Sequence, residues 1–346
     1  MEGILAKAGR GEGLAPAEIE SLLHTAGPST WADLSVIASD LTTRTFGRRM
    51  HFFAPLYFSS HCVNDCAYCG FRRSAGGARS HLDEAALLAE AEALWLQGYR
   101  SVLLVAGEHP HYAGAPQIAA IVRLLKAEGY CFRLLVETAP LSVEGYREIA
   151  EAGVDRVLCF QETYDRKLYD SIHSGPKRDF NWRLESLGRA LSAGIPSVGL
   201  GLLLGISPDP WNDFLALADH AWQIRRRFGV FPATFSFPRF RRAEAVDFQA
   251  HPVSDLDFHR MLVLARVAFP ETGLVLTTRE APEFRDLLVA RGTGITHLSA
   301  GVSVRTGGYA RPAEERSCGQ FEISDTRPLR AVMDRARQLG YAALPF

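Results

Sequence analysis

Neither sign of charge prevails in this chain: Lys+Arg number 38 and Asp+Glu 39, for a formal net charge of -1. That balance excludes a bulk electrostatic pull toward nucleic acid or anionic lipid, so neither is expected as a partner. No apolar run approaches the roughly 18 residues that a membrane span needs. The opening MEGILAKAGRGEGLAP lacks the apolar core of a signal peptide, and a cytoplasmic location is the expectation. Cysteine is scarce, six residues in 346, which excludes a disulfide scaffold. No short-period repeat or low-complexity linker divides the chain. What remains is ordinary for a folded protein, with 47% hydrophobic and 22% charged residues.

Short runs rich in Val, Leu, Ile or Phe at 51–57, 101–106, 132–137, 156–160, 198–204, 233–237, 273–277 and 295–299 predict strands covered on both faces. Amphipathic stretches between them, at 81–96, 115–128, 142–152, 180–193, 210–228, 254–268 and 281–290, predict helices. Gly98, Gly129, Gly153 and Gly194 follow four of the helix ends, where a left-handed cap favours glycine. Strands alternating with helices imply parallel crossovers and an α/β fold, here a TIM-type (β/α)8 barrel. Partial closure is equally compatible, because a strand count does not fix the shear. Residues 1–50 read as an N-terminal helical cap, helical near 16–46, and 51–309 as the barrel. Residues 310–346 read as a C-terminal extension, a polar loop and one amphipathic helix near 327–339. In such barrels the chemistry sits on loops that follow the C-terminal ends of strands.

The first of those loops carries SHCVNDCAYCGF (60–71). The C-x3-C-x2-C spacing of Cys62, Cys66 and Cys69 lets three thiolates hold three irons of a [4Fe–4S] cube. The fourth iron is left open for a ligand. The other cysteines are far away in sequence; Cys131 and Cys159, at predicted strands, read as small buried hydrophobes. A zinc site made of the three cysteines and His61 is the alternative, although adjacent residues rarely both reach one ion.

With Tyr68 before its last cysteine, the motif resembles the signature of radical S-adenosylmethionine (SAM) enzymes. Six further blocks follow in order: LLVAGEHP (103–110), FQETYD (160–165), FSFPRFR (235–241), LTTRE (276–280), SAGVSVRTGGY (299–309) and QFEISD (320–325). Together with APLYFSSHCVNDCAYCGF (54–71) they resemble the aromatic amino-acid lyases of that superfamily. The resemblance implies that the amino and carboxylate groups of SAM chelate the open iron. A 5′-deoxyadenosyl radical then takes hydrogen from the amino group of an amino acid, and a carbon–carbon bond breaks.

The same resemblance assigns residues. Tyr68 and Gly107 belong to the cofactor site, Gly107 by letting backbone come close, and Glu108 takes the SAM ammonium. Glu162, beside Gln161, accepts from the ribose hydroxyls. Arg183 pairs with the SAM carboxylate, with Arg189 as its neighbour and competitor. Gly201 lets adenine approach the barrel wall or serves the packing of that wall. Arg279 would clamp the substrate carboxylate bidentately, Ser299 would complete the clamp, and Tyr57 would line the pocket. The competing role for Arg279 is a salt bridge to Glu280 or Glu283. Ser236 and Arg239 are polar groups on the same rim.

The leading expectation is cleavage of L-tyrosine to 2-iminoacetate (dehydroglycine) and p-cresol for thiamine thiazole synthesis. A thiazole synthase subunit and a flavodoxin-type electron donor are the partners that this reading implies. The same chemistry on tryptophan or another amino acid is the alternative. A non-catalytic metal-binding protein is a third reading, against which Glu108, Glu162 and Arg279 at successive strand ends argue. Three departures stand out. Only Cys318 follows Cys159, so the second-cluster motif of hydrogenase-maturation lyases is absent. Arg242 stands where relatives carry proline, and a Trp- and Asp-containing tail of the thiamine-pathway relatives is missing.

Overall fold

The computed structural model describes residues 1–244, 246–311 and 318–345. Three helices come first: α1 (Glu2–Arg10), α2 (Pro16–Thr25) and α3 (Pro28–Phe46). Proline opens α2 and α3, at the position where its missing N–H has no intrahelical partner to lose. There follow β1 (Arg49–Ser59), α4 (Glu84–Gln97), β2 (Ser101–Ala106), α5 (Ala115–Ala127), β3 (Arg133–Glu137), α6 (Val143–Ala152) and β4 (Arg156–Glu162). The next elements are α7 (Arg166–Ile172), a 3-10 turn (Pro176–Arg178), α8 (Phe180–Leu184), α9 (Ser186–Ser192) and β5 (Val198–Leu202). The rest are α10 (Pro210–Phe228), β6 (Thr234–Ser236), α11 (Asp255–Ala268), β7 (Gly273–Leu276), α12 (Pro282–Ala290), β8 (Ile295–Ser299), α13 (Leu329–Gln338) and β9 (Ala342–Pro345).

Strands β2 to β8 each pair in parallel with the next, and β1 lies between β8 and β2, which closes the barrel. Partial closure, left open by the strand count, is not what forms. The first three helices lie against the outside, α2 on α10 and α3 on α11. Gly98 and Gly153 end α4 and α6 at φ of 100°, a conformation that suits glycine alone.

Four features escaped the sequence pattern. Helix α1 and helix α7 are additional, and β9 pairs with the start of β1, Arg49 opposite Ala342. The helix expected at 180–193 is broken at Glu185, whose φ of -82° and ψ of -2° separate α8 from α9. Cys131 is exposed rather than buried, whereas Cys159 is buried as expected. Residues 312–317 of the polar loop expected after Tyr309 lie outside the described residues. Among those described, no helix is long and apolar enough to cross a membrane.

The barrel interior is where sequence alternation becomes a site. Phe53, Leu103, Leu135, Leu158 and Val275 point inward as an apolar tier around a central cavity. Above it β4 carries a bulge between Phe160 and Glu162, which shifts its pairing with β5. Gly201 is paired with Phe160, and a Cβ there would run into the Phe160 ring. Of the two uses open to this glycine, the packing of the wall is the one seen. Gly201→Ala should therefore lower stability by about 1–3 kcal/mol through overpacking. Denaturant unfolding of the apoprotein measures it, and an unchanged midpoint would show that Phe160 can move aside.

Candidate active site

The loop that leaves β1 is tied down along its length. Val63 N donates to Glu108 O and Ala67 N to Ile172 O, each at 2.9 Å. A Cβ on Gly107 would meet the His61 carbonyl, so this glycine lets the cysteine loop lie against the end of β2. Cys62, Cys66 and Cys69 line one cavity of about 70 Å³, together with Asn64, Gly107, Glu108, Lys177 and Arg183. Burial pushes all three thiols up, Cys69 to about 11. Thiols so placed ionise only against added positive charge, which iron supplies, so the donor set fits an iron–sulfur cluster. His61 is not on this wall; its ring stacks on Tyr112 at 4.2 Å. Among the described residues no three His, Cys, Asp or Glu side chains gather closely enough to hold one ion. A cluster, in which each iron takes one thiolate, asks for wider spacing.

Two ion pairs cross the same cavity. Arg183 pairs with Glu108, and Lys177 Nζ lies 2.7 Å from Glu162 Oε1 and 4.0 Å from Glu108 Oε1. Asn64 joins them: its amide donates to Glu108 Oε2 at 2.8 Å, and its Oδ1 accepts from Lys177 N at 2.9 Å. Burial alone would raise the Glu108 carboxyl, but Arg183 and Lys177 hold it below the usual carboxylate range. Burial likewise opposes the Lys177 charge, and Glu162 more than restores it. A carboxylate and a guanidinium thus stand side by side, already ionised. An incoming zwitterion can exchange partners with them and leave no buried charge uncompensated.

Backbone geometry aims the second carboxylate. Glu162 has φ of 71°, the only non-glycine positive value among the described residues, and it sits at the β4 bulge. Strain of this kind collects where a side chain must be pointed against local preference. Gln161 stays off the wall, its amide 3.5 Å from Phe180 O. Arg189 is likewise occupied elsewhere, donating to Leu141 O at 2.9 Å and to Trp182 O at 2.6 Å. Of the two arginines, Arg183 is the one that reaches the cavity.

A larger cavity of about 170 Å³ fills the barrel beside it, and the two share Cys69, Glu137, Phe160, Glu162 and Gln320. Tyr57, Tyr68, Ser236, Arg279 and Ser299 all line it. The Arg279 guanidinium lies over the Phe321 ring, 3.4 Å from its centroid. Neither Glu280 nor Glu283 pairs with Arg279. Glu280 is held instead by Arg239, Nε to Oε2 at 3.0 Å. Arg239 also reaches Asp255 Oδ1 at 2.7 Å, and it does not line the cavity, contrary to its expected place on the rim. Its two carboxylates draw it into a strut behind the loop after β7.

The remaining groups are fixed by neighbours. Ser299 Oγ accepts from Thr278 N at 3.2 Å, and its carbonyl accepts from Arg285 Nη2 at 2.6 Å. Arg285 is itself buried against Asp325. Tyr57 donates its hydroxyl to Gln320 Oε1 at 2.6 Å. Burial pushes His173 down to about 2, so its ring is neutral. Its Nδ1 then donates to Tyr169 O and its Nε2 accepts from the Tyr68 hydroxyl, each at 2.8 Å. Sequence reasoning missed Lys177, Glu137 and Gln320. Glu137 ends β3, so the strand-end rule could have found it, and Gln320 opens a block already singled out. Lys177 sits in a 3-10 turn with nothing in the sequence to mark it.

Comparison with known proteins bears on the same residues. The profile of the Radical SAM superfamily matches residues 56–221, and that of the Biotin and Thiamin Synthesis associated domain matches 236–342. The 2-iminoacetate synthase of Escherichia coli is 36% identical over 321 residues, 91% of this chain and 82% of that protein. The 2-iminoacetate synthase of Salmonella typhimurium is 34% identical over 312 residues, 90% of this chain and 81% of that protein. Among solved structures, HydG, a maturase of the [FeFe]-hydrogenase, superposes with a TM-score of 0.93 at 33% identity. That match covers 99% of this chain and 76% of that one.

Glu137 offers a check on the cavity's electrostatics. Burial, with Glu162 nearby, raises its carboxyl to about 7 against the pull of Lys177 and Arg279. The folded state therefore favours the neutral acid, and the associated stability is present below pH 4.5 and lost as pH rises through 7. Glu137→Gln cannot ionise. In denaturant unfolding of the apoprotein it should gain on the parent between pH 4.5 and 8, by no more than about 3 kcal/mol. A difference that stays flat with pH would place Glu137 in contact with bulk water.

Proposed function

The chain belongs to the radical SAM superfamily, and from that premise we propose that it splits the Cα–Cβ bond of L-tyrosine into 2-iminoacetate and p-cresol, a step that feeds thiamine thiazole synthesis. Enzymes of this superfamily use a [4Fe–4S] cluster and SAM, which when bound supply a 5′-deoxyadenosyl radical that takes a hydrogen atom from the substrate.

The observation that carries the reading is Arg279. It is a buried guanidinium on the cavity wall, stacked on Phe321 and with no carboxylate in ion-pair contact among the described residues. A buried cation in that state calls for an anion from outside, and an amino-acid carboxylate matches its fork. Ser299 adds a hydroxyl beside it, and Tyr57, anchored by Gln320, lines the space where an aromatic side chain would lie. Ser236, on β6 beside β7, adds a further hydroxyl to the cavity wall. The amino group of a substrate held at Arg279 would face the shared wall of Cys69, Glu137 and Glu162. Orientation is the chief task of these residues, because the radical takes whichever hydrogen lies nearest.

On the cofactor side, Cys62, Cys66 and Cys69 would hold the cluster. Glu108 would take the SAM ammonium and Arg183 its carboxylate, exchanging the pair that they now make with each other. Glu162 would accept from the ribose hydroxyls, Tyr68 would wall the nucleoside, and Lys177 would hold the Glu162 carboxylate in place. The apolar tier and the closed barrel keep water from the reacting amine. A thiazole synthase subunit as the consumer of 2-iminoacetate and a flavodoxin-type electron donor complete the reading.

The test is anaerobic turnover of the reconstituted protein with SAM and dithionite, offering tyrosine and tryptophan separately. Deoxyadenosine with p-cresol from tyrosine is expected. Deoxyadenosine with tryptophan alone would keep the chemistry and overturn the substrate. Arg279→Lys, which keeps the charge but loses the fork, should raise the KM for tyrosine roughly 10- to 100-fold. An unchanged KM would take the carboxylate away from this residue.

A further inference from the structure

Three carboxylates face the two joined cavities, and two of them are already paired, Glu108 with Arg183 and Glu162 with Lys177. The third, Glu137, lines both cavities, yet no described residue gives its carboxyl a hydrogen bond or an ion pair. Its place comes from the strand. Side chains alternate along β3, so Glu137 follows Leu135 on the inward face, and its pairing with Val105 sets it just above the apolar tier.

The larger cavity holds one cation in the matching state. Arg279 rests on Phe321 with no carboxylate in ion-pair contact among the described residues. Its charge reaches the Glu137 carboxyl, but the two groups stop short of an ion pair. An acid and a cation that face one space without touching are the complement of a zwitterion. The carboxylate of an α-amino acid goes to Arg279, and its ammonium is then left for Glu137.

The groups that face Glu137 are Glu162 on β4, Lys177 in the 3-10 turn, Arg183 on α8, Arg279 after β7 and the hydroxyl of Tyr57 on β1. Cys69 shares both cavity walls with it. Lys177 and Arg183 are committed to Glu162 and Glu108. Burial, with Glu162, outweighs the three cations and raises the Glu137 carboxyl to about 7. A carboxyl in that range takes up and gives back a proton near neutral pH, as a general base must.

We propose that Glu137 is a catalytic base, which receives the ammonium of the bound amino acid and takes one proton from it, so that the nitrogen presented for hydrogen removal is a neutral amine. The N–H bond breaks with its electron pair left on nitrogen, an O–H bond forms on Glu137, and no electron leaves either group. Hydrogen removal from an ammonium leaves a positive charge and an unpaired electron on one nitrogen. From an amine it leaves a neutral radical, which a buried site accommodates at lower cost. This role rests on the amino-acid lyase reading, but not on which aromatic amino acid is bound.

Binding can be followed apart from turnover. Calorimetry of the cluster-loaded chain with SAM and no reductant, in buffers of different ionisation enthalpy, counts the protons released per tyrosine bound. At pH 6 Glu137 is mostly the neutral acid and the arriving zwitterion brings a proton of its own; the pair keeps one, so about one is released. At pH 8 Glu137 is already ionised, and release falls toward zero. Glu137→Gln should abolish this change with pH. Release that keeps its pH dependence in Glu137→Gln, or that is absent from the parent, overturns the proposal.

Deoxyadenosine formation then separates a base from a group that only holds the ammonium. In Glu137→Gln, kcat/KM at pH 7 should fall at least about 100-fold. It should then climb roughly tenfold per pH unit toward pH 9, as more substrate arrives as the free amine. A profile that is merely lowered and flat over that range overturns the base role. Should tryptophan bind and tyrosine not, tyrosine is removed as substrate, and the proton count with tryptophan decides the role of Glu137. Binding of neither amino acid overturns both readings.

Discussion

Everything in the site is referred to one strand that is hydrogen-bonded on both sides. β1 pairs with β2 along 54–59, with β8 along 51–53, and with β9 along 49–52. It also ends in the cysteine loop and carries Tyr57 into the cavity. A strand with one free edge could slide or tilt; one clamped between two neighbours cannot do so without breaking both ladders. The position of the three thiols relative to Arg279 on the loop after β7 is therefore a property of barrel closure, not of the loop itself.

Charge is organised around that frame by a simple division. Where a zwitterionic cofactor would bind, the protein's own charges are cross-paired, Arg183 with Glu108 and Lys177 with Glu162. Buried charges left single cost several kcal/mol each, roughly, so such pairing keeps the empty site foldable. Where the amino acid would bind, Arg279 rests on an aromatic face instead. Its neighbour Glu280, which could have neutralised it, is claimed by Arg239. The strut thus serves the clamp indirectly, by removing a competitor for its hydrogen bonds.

Strand positions were readable because buried parallel strands write themselves as short apolar runs, and the eight barrel strands lie where those runs are. The cysteine loop was readable because its ligands are adjacent in sequence. Contacts between distant segments were not. Arg239 on a strand-end loop has the residue type of a substrate group, and only Asp255 and Glu280 in space make it a strut. Lys177 has the residue type of a surface turn, and only Glu162 and Asn64 bring it inside. The break at Glu185 and the pairing of β9 likewise depend on what packs nearby, which periodicity does not record.

Closure through β1 and β8 also sets an order of events. Those strands lie near opposite ends of the barrel sequence, so the last contact to form is among the most non-local in the molecule. A chain emerging from the ribosome exposes its three cysteines long before β8 exists to shut the barrel above them. During that interval the thiols are in water, with ordinary acidity and open access to iron and to oxidants alike. Assembly of the metal centre is thus easiest, and damage to it most probable, in a state that the finished enzyme never revisits.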